Sequence, residues 1–402
     1  MPASLFQLKT IIGVFAATLS FVLAPPASAD EGAKPTGRID GGPGRGLVFT
    51  TPDESFSIQM RARAQLRGAL LVEDEASENE DVIGFNVRRM RLAIRADARP
   101  WNLNLYVQLG MAPLDLDPVA PNIVRDAVLT WRPSPAFRLR FGQTKVAFNR
   151  ERVISSSALA FVDRTLVNAE LNLDRDIGVQ FLFDRLDGEG HLLAQFGVFG
   201  GDGRGMLNQD MGLLYSARLE YRLDPKADDY SEADLRENTA RPQLSIGLGG
   251  AFNHRSIRSR STHGSLLQQG SFDQWHGELD FLFKQNGWFL QGELVLRKAT
   301  RDAFTWVDEA GEEITTRAGS GLGWFLSAGH SFTPEWMVAA RFAELRPWSD
   351  ASRLSNSREV RATLGWFLSD HDFKVQADWG WLFGDDIGRG DFEMRVQTQA
   401  FF

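Results

Sequence analysis

Arginine carries most of the chemistry that this sequence could perform. The chain has 402 residues and 44 basic side chains, of which seven are lysine and 37 arginine. Eight of the arginines (Arg61, Arg63, Arg67, Arg89, Arg91, Arg95, Arg138 and Arg140) recur at alternate positions in neighbouring segments. A guanidinium is a planar fork of donors that can grip two oxygens of a phosphate or carboxylate at once. Two unit charges about 4 Å apart interact by about 4 kcal/mol at an effective dielectric of about 20. A row of such cations on one wall therefore needs counter-charges or bound anions between its members. The set reads as an anion-binding surface, or else as rows paired with carboxylates such as Asp97 and Glu220.

Other chemistries find little to work with. There is no Cys, which excludes disulfide frameworks and thiolate metal or redox sites. His191, His254, His263, His276, His330 and His371 show no metal-ligand spacing, so neither a metal nor another cofactor is expected. The glycine-rich run from Gly200 to Gly205 lacks the Lys-Ser/Thr of a phosphate-binding loop. Ser245 and His276 could lie on adjacent strands, but no spacing singles them out as a catalytic pair, and no enzyme is expected. A net charge of −8 argues against a general nucleic-acid binder.

Something must hold the arginines in a row. Residues 1–29 read as a cleaved signal peptide: Lys9 precedes an apolar run from Ile11 to Leu23, and Ala27-Ser28-Ala29 supplies the small-residue cleavage pattern. Losing Lys9 leaves a charge of −9. Nothing after it approaches the roughly 18 consecutive apolar residues of a spanning helix. Alternation takes over at Phe56. Phe56, Ile58, Met60, Ala62, Ala64 and Leu66 share one face, and Ser57, Gln59, Arg61, Arg63, Gln65 and Arg67 share the other.

Sixteen segments of this kind begin near residues 56, 85, 102, 125, 137, 175, 191, 212, 242, 273, 288, 320, 336, 359, 373 and 392. Strands of about ten residues, apolar on one face, span a bilayer when tilted by about 45°. Short connections, as at Pro100, Pro133-Ser134-Pro135 and Asn286-Gly287, alternate with long ones. Bacterial outer-membrane barrels have short periplasmic turns and long external loops in the same way. The expected fold class is all-β: a 16-stranded antiparallel transmembrane barrel over residues 56–402, preceded by a Gly-rich periplasmic segment, 30–55. Residues 224–241 break the alternation and are kept as a long periplasmic turn. A soluble β-sandwich also alternates, but it would have to bury an apolar face in every strand of one closed sheet. The connection at 146–174 follows the fifth strand and mixes Arg and Ser with apolar residues. It is expected to fold into the bore as a constriction loop, its apolar residues on the wall and its Arg and Ser toward the ion path.

Particular blocks add a family likeness. Phe85-Asn86-Val87-Arg88-Arg89-Met90-Arg91-Leu92 is followed by Arg125-Asp126-Ala127-Val128-Leu129 and Phe141-Gly142-Gln143-Thr144-Lys145. Glu151, Ser155-Ser156 and Arg175-Asp176-Ile177-Gly178-Val179 come next. Their order and spacing resemble the phosphate- and polyphosphate-selective porin family (O/P type) of bacterial outer membranes. The resemblance implies a homotrimer of 16-stranded barrels in outer-membrane lipid, each a passive channel for phosphate, polyphosphate or other small anions. It also implies site residues. Arg88 and Arg89 match the paired arginines near the constriction, and Asp126 matches the strand carboxylate that helps coordinate the anion. Ser155 and Ser156 match the paired hydroxyls and Arg164 the arginine that follows them. Arg63 takes the place of the first-strand arginine, and Arg152 stands where the family can carry Lys. Strand parity puts Arg89 and Arg91 on one face and Met90, Leu92 and Ile94 on the other, so Arg88 points outward unless a bulge redirects it. Two other readings stay open: a general diffusion porin whose arginines are salt-bridged, and an adhesion or anchoring barrel.

Overall fold

Backbone groups inside a bilayer must pair with one another, and a closed sheet pairs them all. The computed structural model describes residues 37–74, 80–187, 190–207, 211–223, 230–235, 241–385 and 390–402. An N-terminal hairpin, β1 (Arg38–Gly42) and β2 (Gly46–Thr50), precedes the barrel. The wall then runs through β3 (Phe56–Val72), β4 (Val82–Ala98), β5 (Leu103–Gly110), β6 (Val124–Ser134) and β7 (Phe137–Lys145). It continues with β8 (Arg175–Asp187), β9 (Gly190–Phe199), β10 (Leu214–Arg222), β11 (Gln243–Ser256), β12 (Phe272–Gln285) and β13 (Trp288–Ala299). A separate hairpin of β14 (Ala303–Val307) and β15 (Glu313–Arg317) interrupts it. The wall resumes with β16 (Gly321–Ser331), β17 (Trp336–Pro347), β18 (Ser357–Ser369), β19 (Phe373–Gly384) and β20 (Asp391–Phe401). Each wall strand pairs antiparallel with its neighbour, and β20 pairs with β3 from Phe392↔Val72 to Phe401↔Arg63, which closes a 16-stranded barrel.

Burial along the strands is inverted relative to a soluble protein. On β10, Leu219 is 46 % exposed while its neighbour Arg218 is 2 % exposed. The apolar residues face outward toward lipid and the charged ones face the lumen, as a membrane barrel requires. Tryptophans collect at strand ends on the outer surface. Trp336 and Trp366, directly paired across β17 and β18, stack with ring centroids 5.7 Å apart. Such rings suit the membrane interface, where one edge is apolar and the other wet. Asn286 and Gly287, both at positive φ, make the tight turn between β12 and β13. Among the described residues no helix is long and apolar enough to cross a membrane.

Every expected strand start falls within three residues of the observed one. The expected signal peptide, residues 1–29, and parts of the turn 224–241 lie outside the described residues. Two regions carry structure that the expectation did not describe. In the segment read as 30–55, β2 pairs with β3 over Leu47↔Met60 to Thr50↔Ser57. The reason is an open edge: β20 ends opposite Arg63, so the lower part of β3 would present unpaired backbone without the hairpin. The second concerns residues 230–235 of the expected turn, which are buried, Ala233 and Leu235 packing with lumen-facing residues of the wall.

Candidate functional site

Two of the arginines, Arg88 and Arg125, reach the lumen through register slips. Between β3 and β4 the pairing steps from Gln65↔Arg89 to Leu66↔Val87, leaving Arg88 as an extra residue in β4. A bulge of this kind breaks strict alternation, so Arg88 and Arg89 both turn inward. Between β5 and β6 the step from Gln108↔Asp126 to Leu109↔Val124 does the same for Arg125 and Asp126.

On the floor so formed, Arg63 and Arg91 stand directly opposite each other across β3 and β4. Arg91 is satisfied by Asp115, whose oxygens accept from its Nε at 2.8 Å and its Nη2 at 2.6 Å. Arg63 has no carboxylate partner among the described residues; its Nη2 donates to Ser156 Oγ at 3.0 Å. Asp163 gathers three guanidiniums, with Arg67 at 2.6 Å, Arg88 at 3.2 Å and Arg89 at 2.8 Å. Burial alone would raise this carboxyl, but Arg89, Arg88 and Arg67 hold it well below the ordinary carboxylate value.

Residues 146–174 fold inward as expected and carry two short helices, α1 (Arg150–Val153) and α2 (Leu166–Leu171). Thr165 caps α2 by accepting from Asn168 N at 3.1 Å. Val146, Phe148, Val167, Leu171 and Leu173 pack on Val295, Phe325, Ala343 and Leu345, which face inward from the wall opposite β3–β7. Polar ties fix the same side. Arg150 Nε donates to Asp280 at 2.7 Å, Asn149 Nδ2 to Glu293 at 3.0 Å, and Lys374 Nζ to the Leu159 carbonyl at 2.7 Å. The loop therefore fills the side of the bore facing β3–β7 and leaves the rest open against those strands.

Glu151 sits within this anchorage and accepts from the backbone N and Oγ1 of Thr165. Burial raises its carboxyl above the usual glutamate value, against the opposing pull of Arg341. Protonated Glu151 is the form the fold favours, so its stabilising contribution is complete below about pH 4.5 and is lost as pH rises through its folded value. Glu151→Gln is expected to flatten the decline of barrel heat-resistance between about pH 5 and pH 7, read as melting temperature in detergent. An unchanged slope in the variant would contradict this.

The remaining cavity is about 850 Å³. Its lining carries fourteen Arg and Lys side chains against five aspartates, an excess of nine positive charges. Arg204 and Arg260 come from long connections, Arg152 and Arg164 from the inward loop, Arg125, Lys145 and Arg175 from the loop ends of β6, β7 and β8, and Arg61, Arg63, Arg88, Arg89, Arg91, Arg95 and Arg140 from β3, β4 and β7. Some are paired: Arg152 with Asp174, and Arg175 with both oxygens of Asp126 at 2.9 and 3.0 Å. Others are not. Lys145 donates to the carbonyls of Val153 and Ile154, and Arg164 to those of Glu151 and Ile154. Burial, and then Arg152, pulls the Arg164 guanidinium down to about 10, so it stays charged at neutral pH.

The opposite wall is different. There Arg218 meets Glu278 and Asp280, Arg341 meets Glu359, and Arg361 and Arg395 meet Asp378. The paired-row reading thus describes β10–β20, while β3–β8 keeps basic groups that have no carboxylate partner among the described residues. Of the eight arginines expected in the lumen, Arg67 and Arg138 sit apart from the cavity, held by Asp163 and Asp184. Asp97 accepts from Asn104 rather than from an arginine, and Ser245 bonds Glu220 rather than His276.

All nine expected site residues lie on or beside this conduit. Arg63, Arg88, Arg89, Arg91, Asp126, Arg152, Ser155, Ser156 and Arg164 line it. Ser156 Oγ accepts from both Arg63 and Arg91, and Ser155 Oγ bonds Ser157 Oγ at 2.8 Å. Sequence reasoning missed Asp115 and Asp163, which supply the counter-charges, and left Arg125, Arg175 and Lys145 without a role. Arg125 and Asp163 were each one residue from an assigned neighbour, which was the available signal.

A sequence profile described as phosphate-selective porin O and P matches residues 63–399. The chain belongs to this family. No curated protein matches the sequence at a significant level. Among solved structures, the porin is similar to an anion-selective porin from Comamonas acidovorans, at 12 % identity and a TM-score of 0.56, covering 86 % of this chain and 100 % of that one. A loop-deletion form of OmpT, an outer membrane protein of Vibrio cholerae, aligns at 10 % identity and a TM-score of 0.54 over 87 % of this chain and 100 % of that one. The outer membrane channel DcaP of Acinetobacter baumannii follows at 9 % identity and a TM-score of 0.52, covering 88 % and 99 %. At these identities the likeness is one of fold. Family and fold together make this porin an outer-membrane channel rather than an enzyme.

Proposed function

We propose that this porin is a passive channel preferring anions, with phosphate or polyphosphate as the leading substrate class. The observation that carries the reading is the lining of fourteen basic against five acidic side chains along the cavity, with Arg63 and Arg164 lacking carboxylate partners among the described residues. A conducting site must attract strongly enough to load an ion and weakly enough to release it. A file of guanidiniums does both, since an anion held by one fork can be passed to the next. Arg63, Arg88, Arg89 and Arg91 form the near-wall steps, and Arg152 and Arg164 the steps on the inward loop. Ser155 and Ser156 add neutral hydrogen bonds without deepening the well. Asp126 acts through Arg175, because that fork occupies both of its oxygens.

The anion selectivity carried by the name of the Comamonas porin agrees with this reading. A homotrimer anchored in outer-membrane lipid by the apolar outer face, as the family resemblance implies, belongs to the same proposal. A general diffusion porin is favoured by the paired rows of β10–β20, which the inward loop separates from the cavity, and by the pairs on the cavity wall itself, among them Arg91 with Asp115 and Arg175 with Asp126. The test is phosphate titration of the chloride current through purified protein in a planar bilayer. Saturable block is expected; a chloride current indifferent to phosphate would overturn the phosphate assignment.

A further inference from the structure

We propose that residues 230–235 are a prop for the inward loop, with Glu232 a positioning residue that keeps the open bore confined to the cationic wall. The proposal rests on reading the cavity as the conduction path. The segment Tyr230-Ser-Glu-Ala-Asp-Leu235 has the composition of a solvated turn, yet Ala233 and Asp234 are fully buried and the other four residues are 9 % exposed or less.

The wall explains why. At the short-turn end, Phe289, Met337, Ala339 and Phe367 face the lumen from strands whose other face carries Trp288, Trp336 and Trp366. Apolar side chains on both faces of a strand require cover on both sides. Lipid covers the outer one; Ala233 and Leu235, together with Ala160 and Phe161 of the inward loop, cover the inner one.

Hydrogen bonds fix the segment in that place. Lys284 Nζ donates to the Ser231 carbonyl at 3.1 Å, and Gly287 N donates to Asp234 Oδ2 at 3.1 Å. Arg222 lies over the Tyr230 ring at 4.3 Å. Glu232 makes the contact that matters for the channel: its Oε2 accepts from Ala160 N at 2.7 Å. Ala160 belongs to the tip of the inward loop, and Asp163 and Arg164 lie three and four residues further on. The wall grips that tip from the side, through Gln376 to the Leu159 and Ala160 carbonyls and through Asp378 to Val162 N. Glu232 supports it from below. None of residues 230–235 lines the cavity, so the segment acts on the ion path only through the loop. With the prop gone, the tip can swing toward the vacated space, which widens the bore and carries Arg164 away from Arg63.

The chain has no cysteine, so a single thiol reports cleanly on the segment. Ala233→Cys in the folded porin is expected to be unreactive toward a membrane-impermeant methanethiosulfonate, and to become reactive when Glu232→Ala is added. Glu232→Ala is expected to raise single-channel conductance roughly two-fold, as an opened cross-section would. It is also expected to move the KCl reversal potential toward zero. Glu232→Gln keeps an oxygen acceptor for Ala160 N and is expected to retain wild-type values. A reactive thiol in Ala233→Cys alone would overturn the docking, and it can be read even if Glu232→Ala folds poorly. Unchanged conductance and potential in folded Glu232→Ala would overturn the prop while leaving the anion channel standing. A wild-type potential near zero, with a conductance rise in Glu232→Ala, would remove the anion reading and leave the prop.

Discussion

Arg63→Glu is expected to lower anion conductance by about tenfold or more and to pull the KCl reversal potential to zero or beyond. Arg63 is buried, faces Arg91 directly and has no carboxylate partner among the described residues, so its charge acts on whatever passes. At about 6 Å and an effective dielectric of about 20, one unit charge contributes about 3 kcal/mol to a permeating monovalent anion. The substitution changes the local charge by two units. Even heavily screened, that loss exceeds the roughly 1.4 kcal/mol that separates a factor of ten. Ion substitution in planar bilayers checks it. Anion current within a factor of two of wild type would remove Arg63 from the path.

Asp163→Asn should act mainly on the loop. One half-buried carboxylate holds Arg67, Arg88 and Arg89, and its removal leaves three guanidiniums partly desolvated without their counter-charge. The three arginines would then repel one another and release the residues beside Asp163. The expected result is a lower melting temperature in detergent and new tryptic cleavage after Arg164 in the otherwise folded barrel. A variant as heat-resistant and as protease-resistant as the parent would contradict the view that Asp163 clamps the loop to β3 and β4.

Comparison of these sites with the sequence shows what a linear pattern can and cannot carry. The wall was legible because one physical demand, lipid on one face and water on the other, acts on every strand and imprints a period of two. Phe56 to Leu66 show it as plainly as any stretch, and β3 begins at Phe56. The bulges were not legible. Arg88 turns inward because β3 slips past β4 by one residue, and a slip is a property of two strands rather than of either sequence. The counter-charges were hidden for a related reason. Asp115 meets Arg91 from a loop 24 positions away, and Asp163 meets Arg89 from 74 positions away. The prop left a trace that parity reasoning passed over. Trp288-Phe289, Trp336-Met337 and Trp366-Phe367 are apolar on both faces, which an open water-filled lumen would not favour at that end.

The central claim is that β3–β8 and the inward loop together present a path on which basic side chains outnumber carboxylates. The most direct test is the zero-current potential of the purified porin in a planar bilayer with a KCl gradient. A clearly anion-signed potential, reduced in Arg63→Glu, is the result this structure predicts. A potential near zero or cation-signed in the wild-type protein would mean that the arginines of β3–β8 are neutralised like those of the opposite wall, and the anion channel would fall with them.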